Sequence, residues 1–307
     1  MGKASRKKRQ AAAAEGLHPV KVAPAPFVAR PFHGLPGETD WVAMREIVPA
    51  AGAKVTLRPE APAIAELGLS AADLPAQVTV CTVLPMAWPA LRRVDGELMV
   101  ALQTVQTTGD ASRDVAQAML AAIATAPGSP VTVVHAPTAQ TPRLQDLLDL
   151  DADFDVTVHD DFGFWVAPEV ELDAEGQASL EQANAAIVPT VKLAGVDSAY
   201  WCRIGERTHI RWILPYDEDA ATDALARLHA AGDDLLGEGT RLLGAFRADG
   251  LLCPVWDLDP QAEAADYEQP MAALAARFTA ALAVTEPLTV EQRRAKNGLL
   301  SRQLTLR

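Results

Sequence analysis

A run of alternating carboxylates in residues 149–155 has the spacing with which a calcium loop supplies its oxygen ligands. Such a loop also needs glycine at its sixth position for a sharp turn and a bidentate glutamate at its twelfth. Counted from Asp149, the sixth residue is Phe154 and the twelfth is Asp160. The pattern therefore favours a solvated acidic turn, and no metal site is predicted.

The triplet His159-Asp160-Asp161 contains residue types that hold metals or form acid–base pairs. A metal site usually needs three convergent ligands, and His135 is the only other candidate nearby. The alternative interpretation is the polar tip of a hairpin. No catalytic residue is assigned, although a cleft lined by His135, His159 and Asp160 would favour an enzyme.

Recognised catalytic and cofactor motifs are missing from the sequence. There is no Gly-x-Ser-x-Gly elbow, no Walker lysine loop and no His-Glu-x-x-His helix. The glycine pattern of residues 237–244 follows a predicted helix and precedes a strand, the reverse of a phosphate-binding turn. Cys81 and Cys253 lie in apolar strands, and nothing marks Cys202 as a nucleophile. No cofactor is predicted.

Residues 200–212 alternate aromatic and basic side chains on two predicted strands. Because successive side chains of a strand point to opposite faces, the odd-numbered cations are expected to share one face: Arg203, Arg207, His209 and Arg211. Cations interleaved with aromatic rings can hold phosphates and stack bases, which makes Arg203 and Arg211 candidates for nucleic-acid binding. The alternative is a half-buried strand pair with its arginines bonded to the acidic body.

Both ends of the chain are basic, whereas its middle is acidic. Residues 1–10 contribute +5 and residues 287–307 contribute +4, so with −13 overall the remaining body carries −22. Cations bind polyanions through phosphate contacts, and the candidate nucleic-acid-binding residues of the ends are Lys3, Arg6, Lys7, Lys8, Arg9, Arg293, Arg294 and Lys296. The alternative is that the charged ends only aid solubility.

The elements that must position these residues follow from hydrophobic periodicity and turn residues. Helices are predicted at 40–48, 113–126, 141–150, 172–187, 219–236, 267–284 and from a capping box at 289 onwards, broken at Asn297-Gly298. Asp40 is the expected N-cap of the first, and Asp110 or Ser112 that of the second. Strands are predicted at 55–57, 77–84, 98–104 and 131–135, and hairpins at 154–166, 198–214 and 241–258.

These elements predict an α+β fold of two tandem subdomains with mainly antiparallel sheets packed against helices. The predicted boundaries are a disordered basic tail at 1–26, subdomains at 27–170 and 190–286, a helical connector at 171–189 and a basic helix at 287–307. The order turn, strand, helix and hairpin occurs twice, which is consistent with a duplication and also with chance recurrence.

Three cysteines without a Cys-x-x-Cys pair are typical of a reducing cytosol. No run approaches the roughly 18 apolar residues that span a bilayer. We therefore expect a cytoplasmic protein without a membrane partner.

The stretch at residues 27–51 resembles the opening of an actinobacterial family of unknown function, and the similarity extends through most of the remaining chain: FVARPFHGLPGETDWVAMREIVPAA. Some members of that family carry an N-terminal zinc knuckle like the one at the C-terminus of SecA. The present chain has no cysteine before Cys81, so the resemblance implies no zinc here. It also implies no activity, ligand or catalytic residue.

The sequence thus predicts an accessory binding protein that docks on RNA or the ribosome through its basic ends. Two alternatives stay open. The acidic body would bind a basic protein partner in a chaperone-like manner, or an unrecognised catalytic site would lie between the two lobes.

Overall fold

The protein is described by a computed structural model that covers residues 23–69, 74–105 and 107–302. It has an α+β fold with two mainly antiparallel sheets, one of six and one of five strands, which confirms the predicted class. The described chain begins at Ala23, and Pro24 forms a β-bridge with Thr138.

The first sheet has the strand order β5-β3-β4-β2-β1-β6. Its strands are β1 (Ala51–Thr56), β2 (Gln77–Cys81), β3 (Ala90–Arg92), β4 (Leu98–Ala101), β5 (Ser129–Val131) and β6 (Thr157–Val158). Only β2 and β4 pair in parallel. The second sheet has the order β10-β11-β9-β8-β7 and is antiparallel throughout. Its strands are β7 (Thr190–Lys192), β8 (Ala199–Ile204), β9 (Arg207–Trp212), β10 (Arg241–Ala248) and β11 (Leu251–Asp257).

Eight α-helices lie within the described residues. They are α1 (Glu38–Glu46), α2 (Pro62–Ala65), α3 (Ala111–Ile123), α4 (Leu144–Leu147), α5 (Ala174–Asn184), α6 (Glu218–Ala231), α7 (Glu268–Leu282) and α8 (Val290–Arg302). Short 3₁₀ turns occur at Pro85–Ala87, Gly163–Trp165 and Ala264–Tyr267. In this part of the chain no helix is both long and apolar enough to cross a bilayer.

Two large hydrophobic cores and one small cluster follow from the faces that these elements bury, and the small cluster consists of Cys81, Leu84, Met99 and Ala101. The second core lies between the second sheet and helices α6, α7 and α8, and it includes Trp212, Trp256, Phe278 and Leu299. The first core lies against α1 and α3, and it also takes in Tyr200, Ile213, Ala248, Leu251 and Cys253 from the second sheet. The two sheets therefore share apolar packing, and the predicted subdomain boundaries stay a prediction.

Helix α1 connects the two sheets. Its N-cap is Gly37, with φ 65°, so the prediction that Asp40 caps it is wrong. The Asp40 carboxylate is buried and accepts hydrogen bonds from Lys192 Nζ (2.6 Å), Ser198 Oγ (2.6 Å) and Tyr200 Oη (2.8 Å). Asp40 is needed for this buried network between the sheets rather than for the helix terminus.

Helix α3 begins after Asp110, but the side chain of Asp110 makes no capping bond. The carboxylate is buried and instead pairs with Arg113 and Arg143, at 3.1 and 3.3 Å. Asp110 is thus the N-cap residue, as predicted, but without a side-chain capping bond, whereas Ser112 lies inside the helix and its hydroxyl donates to Gln145.

Several element predictions need correction. Residues 154–166 do not form a hairpin, because β6 pairs with β1 and residues 163–165 form a 3₁₀ turn. The predicted helix 141–150 is reduced to the four residues of α4, and the strand 131–135 ends at Val131.

Helix α8 continues through Asn297 and Gly298 without a break. Its predicted capping box is confirmed, because Gln292 N and Thr289 Oγ1 are hydrogen-bonded at 3.3 Å, and Thr289 N and Gln292 Oε1 at 2.9 Å.

Candidate functional site

A cavity of about 740 Å³ lies on the face of the first sheet that points away from the core. Strand alternation creates it: Val78 and Val80 of β2 enter the core, whereas Gln77 and Thr79 face the cavity. We call it the sheet-face cavity, and its lining includes Gly52, Lys54, Gln77, Thr79, Arg93, Glu97, Asp153, Asp155, His159 and Phe164.

Gly52 of β1 contributes no side chain to the floor of the sheet-face cavity, and it is buried between His159 and Thr79. A Cβ at Gly52 would lie 3.6 Å from both His159 Nε2 and Thr79 Cγ2, in ordinary contact, and a larger side chain would enter the cavity. Glycine inside a strand often marks a place where another group approaches the backbone closely. Gly52 thus keeps free the space between His159 and Thr79.

Residues 159–166, the roof segment, cover one side of the cavity and are held at several points. The rings of His159 and Phe164 stack with their centroids 4.5 Å apart. Arg93 donates through Nη1 to the carbonyl of Phe164 at 2.9 Å, and Trp165 Nε1 donates to the carbonyl of Val83 at 2.9 Å. Asp161 Oδ1 accepts from Gly163 N at 2.7 Å and so shapes the turn. These bonds preorganise the wall that carries His159.

Charge on the opposite wall is largely compensated. Arg93 forms ion pairs with Asp95 and Glu97, and Thr79 Oγ1 donates to Glu97 Oε1 at 2.6 Å. The hydrogen bond from Arg93 holds the pKa of Asp95 below its usual value. Three charged cavity side chains make no ion pair among the described residues: Lys54, Asp153 and Asp155.

His159 is set up as a neutral hydrogen-bonding group. Partial burial lowers the pKa of its imidazole, and the nearby carboxylates of Asp161 and Asp160 only partly oppose this effect. At neutral pH the ring therefore carries one donor and one acceptor nitrogen. The cavity offers a ligand this imidazole, one ammonium group and two exposed carboxylates.

The three residues whose common cleft would favour an enzyme, His135, His159 and Asp160, do not line one cavity. His135 lines a different cavity of about 210 Å³ beside Trp88 and Asp114, and Asp160 is exposed and does not line the sheet-face cavity. Within residues 23–69, 74–105 and 107–302, no three or more His, Cys, Asp or Glu side chains are grouped as a metal site would require.

The expected shared face of the hairpin cations is confirmed for Arg207, His209 and Arg211 and is wrong for Arg203. The register pairs Tyr200 with Arg211 and Arg203 with Thr208, and opposite residues of an antiparallel pair share a face. Arg203 therefore lies on the face opposite to Arg211. The reason is that the β8–β9 turn at Gly205 and Glu206 changes the parity between the strands.

Arg203 and Arg211 have different surroundings. Arg203 donates to Glu263 at 2.8 Å and to the carbonyl of Pro260 at 3.0 Å, and its guanidinium lies 5.1 Å from the centroid of the Trp201 ring. Arg211 is half-buried beside Cys202 and Cys253. Burial raises the pKa of these two thiols, as it does for Cys81, so the cysteines are poor nucleophiles.

Of the candidate cations in the C-terminal segment, one is ion-paired with a neighbouring helix and two are exposed to solvent. Lys296 is paired with Asp223 at 2.7 Å and Asp219 at 3.7 Å, and these contacts attach α8 to α6. Arg293 and Arg294 are exposed. The candidate cations of the N-terminal end lie outside the described residues: Lys3, Arg6, Lys7, Lys8 and Arg9.

Sequence reasoning singled out His159 but missed the other polar residues that line the cavity with it. Arg93, Glu97 and Thr79 lie on separate strands and turns, and only the sheet register brings them to one face. The one local signal was Gly52, a glycine among β-strand residues.

Comparison with known proteins identifies the family but no activity. No curated protein and no solved structure matches the chain. The model of a family of unknown function, DUF5926, matches residues 31–307, and the chain belongs to this family.

Proposed function

We propose that the protein is a binding protein whose ligand occupies the sheet-face cavity and is a small polar molecule with positive or no net charge. The observation that carries this proposal is the cavity of about 740 Å³ whose wall holds a preorganised, neutral His159 beside Gly52, a floor residue without a side chain. Ligand sites are typically concave, largely preformed and about 300–1,000 Å³ in volume.

The expected charge of the ligand follows from the groups that remain unpaired. Asp153 and Asp155 exceed the single ammonium of Lys54, whereas Arg93 and Glu97 neutralise each other. A surplus of carboxylates concentrates positive ligands and repels anions. The donor and acceptor nitrogens of His159 would bind a hydroxyl, amine or amide of the ligand.

The same geometry favours binding over catalysis. The Thr79 hydroxyl, the nearest candidate nucleophile on the floor, donates to Glu97 and not to His159. Glu97 is itself ion-paired with Arg93. In the described lining the imidazole of His159 is therefore not engaged as the base of a hydroxyl, and it is left as a hydrogen-bonding group for a ligand.

Ligand retention tests the proposal. Wild-type protein, the Gly52→Val variant and the control variant Gly298→Val are dialysed against the small-molecule fraction of the native cytosol and analysed by native mass spectrometry. Valine suits a strand, and its methyl groups would occupy the floor. A Cβ at Gly298 would meet no atom within 4 Å, so this control leaves all cavities unchanged.

We expect wild type and Gly298→Val to retain the same small molecule and Gly52→Val to retain at least tenfold less. Circular dichroism establishes that each variant is folded. A wild-type protein that retains nothing, or a folded Gly52→Val variant that retains as much as wild type, would contradict the proposal.

A second candidate function is docking on RNA or the ribosome, and the exposure of Arg293 and Arg294 on α8 favours it. Together with the five cations of residues 1–10, these two arginines would contact phosphates. Lys296 and Arg203 contribute less, because each is already paired with a carboxylate.

Co-sedimentation with ribosomes at low salt tests this second function. We expect deletion of residues 1–10 and the double change Arg293→Glu and Arg294→Glu each to reduce binding at least tenfold and to flatten its salt dependence. Arg203→Ala serves as the comparison and should change binding less than twofold. Absence of the wild-type protein from the ribosome fraction would exclude this function.

A cytoplasmic location is part of both proposals. It is supported by three buried, unpaired cysteines, which suit a reducing compartment.

A further inference from the structure

An apolar groove of about 520 Å³ lies between helix α5 and the edge of the first sheet. We call it the helix groove. The sheet side contributes two half-buried tryptophans and aliphatic side chains: Trp88, Leu91, Trp165, Val166 and Val170. The helix side contributes Gly176, Ser179, Leu180 and Ala183. Most of this helix face is small, so the helix covers the groove without filling it.

Helix α5 is weakly held for an element that covers apolar surface. None of its 11 residues is buried. Its Asn184 Oδ1 accepts a hydrogen bond from Phe162 N at 2.8 Å. An isolated helix shorter than about 12–15 residues is marginal in water, so α5 depends on contacts with the groove. A molecule in the groove would supply the apolar contacts that its small side chains leave unmade.

The charges around the helix groove restrict which molecules could bind in it. Arg93 is the only charged residue that lines the helix groove within the described chain. Its guanidinium already donates to Asp95, Glu97 and the carbonyl of Phe164. A carboxylate or phosphate would therefore find no free cation, and moving such a charge into this apolar space without a partner is costly.

We propose that the helix groove binds an uncharged apolar small molecule, aliphatic or aromatic, with α5 as its cover. A polypeptide segment fits less well, because α5 already lines one wall of the groove and leaves a volume of about 520 Å³ rather than an uncovered apolar face. The volume lies within the usual range for small-ligand sites. The groove adjoins the sheet-face cavity at Arg93 and Val166, but the proposal does not depend on a ligand there.

Fluorescence titration with N-phenyl-1-naphthylamine tests the inference, because this uncharged probe emits strongly in apolar surroundings. Competition by 1-decanol is compared with competition by decanoate, which has the same chain length and a charge. The Ala183→Phe variant places a ring in the groove. The control Ala178→Phe adds the same ring to the same helix at an exposed position outside the lining.

The expected result is saturable probe binding to wild type and at least tenfold weaker binding to Ala183→Phe, with Ala178→Phe within twofold of wild type. 1-Decanol should displace the probe at a concentration at least tenfold below that of decanoate. Gly52→Val should bind the probe as wild type does, which separates this inference from the proposed function. Equal binding by both phenylalanine variants, or equal competition by decanol and decanoate, would overturn it.

Hydrogen exchange of the wild-type protein provides a measurement that needs no variant. Saturating 1-decanol should slow amide exchange of residues 177–184 at least fivefold, because the ligand would attach α5 to the sheet. Unchanged exchange in α5 would also overturn the inference.

Discussion

At the scale of single residues, a few buried polar groups determine how the protein is assembled and where it is open. Asp40 collects the hydrogen bonds of Lys192, Ser198 and Tyr200 from the second sheet. Gly52 has the opposite role, because it removes a side chain where the sheet would otherwise be covered. Neither role is visible in the residue type alone: aspartate near a helix start and glycine in a strand have several common explanations.

Replacement of Asp40 by alanine should destabilise the protein by about 2–3 kcal/mol. The change leaves Lys192 and Tyr200 without their buried acceptor, and breaking a buried ion pair costs about 3–5 kcal/mol. We expect a smaller loss of stability than this range because the Lys192 side chain is 28% exposed, so the ion pair is only partly buried. Urea unfolding measures the effect. The exposed Asp151→Ala variant is the control and should stay within about 0.5 kcal/mol of wild type; equal effects would contradict the network.

His159 should titrate below pH 6.5 in the folded protein, because burial is the largest influence on the pKa of its imidazole. A histidine whose folded pKa is lowered stabilises the protein above its unfolded pKa of about 6.5, and this contribution is lost as the pH falls through the folded value. NMR titration of the ring protons measures the midpoint. The His159→Gln variant should lose stability less steeply below pH 6.5 than wild type. A midpoint above 6.5 would show that Asp161 and Asp160 dominate.

At the scale of elements, the β10–β11 turn connects the second sheet to the N-terminal segment. Asp249 and Gly250 have φ 43° and 78°, the left-handed pair that a two-residue hairpin favours. Asp249 also pairs with Arg45 of α1. A Cβ at Gly250 would lie 2.4 Å from the carbonyl oxygen of Ala29. The turn is therefore fixed both by its own conformation and by the segment packed on it.

Replacement of Gly250 by alanine should cost about 3–4 kcal/mol, because it adds a backbone clash to the strain of a left-handed residue. Gly205 in the β8–β9 turn is the matched control: it has φ 60°, but a Cβ there would meet nothing within 4 Å. Gly205→Ala should cost only about 1–2 kcal/mol. Thermal and urea unfolding compare the two variants, and equal losses would show that the Ala29 contact is unimportant.

Elements with strong periodicity were predictable, whereas the candidate site was not. The hairpins 198–214 and 241–258 were identified because alternating side chains flank glycine turns. Residues 154–166 were misread because an aromatic, β-branched stretch is typical of strands. Here Arg93 and Asp161 instead hold its second half in a 3₁₀ turn. The sheet-face cavity needs Thr79, Glu97 and Gly52 in register, which no local pattern encodes.

At the scale of the whole molecule, the two sheets share part of one apolar core. Tyr200, Leu251 and Cys253 of the second sheet belong to the same core as Trp41 and Met44 of α1. Part of the basic C-terminal segment also packs against the rest of the protein, since Lys296 pairs with acids of α6 and Leu299 is buried. Only Arg293 and Arg294 among its described candidate residues remain exposed.

A shared core predicts a single cooperative unfolding transition. Urea unfolding curves followed by tryptophan fluorescence and by far-ultraviolet circular dichroism should therefore superimpose. The fluorescence reports on both cores, since Trp41 lies with Tyr200 in the first core and Trp212 and Trp256 lie in the second. Two separated transitions would mean that the sheets unfold independently and that the contacts of Asp40 and Asp249 are weak.

Crystallographic soaking tests most directly whether the sheet-face cavity is the ligand site. Crystals of the wild-type protein are soaked with a library of small polar amines, amides and alcohols. We predict that bound molecules cluster over Gly52, with a polar atom within hydrogen-bond distance of the His159 ring. Bound molecules distributed over other surfaces, with the space over Gly52 filled by water alone, would contradict the claim.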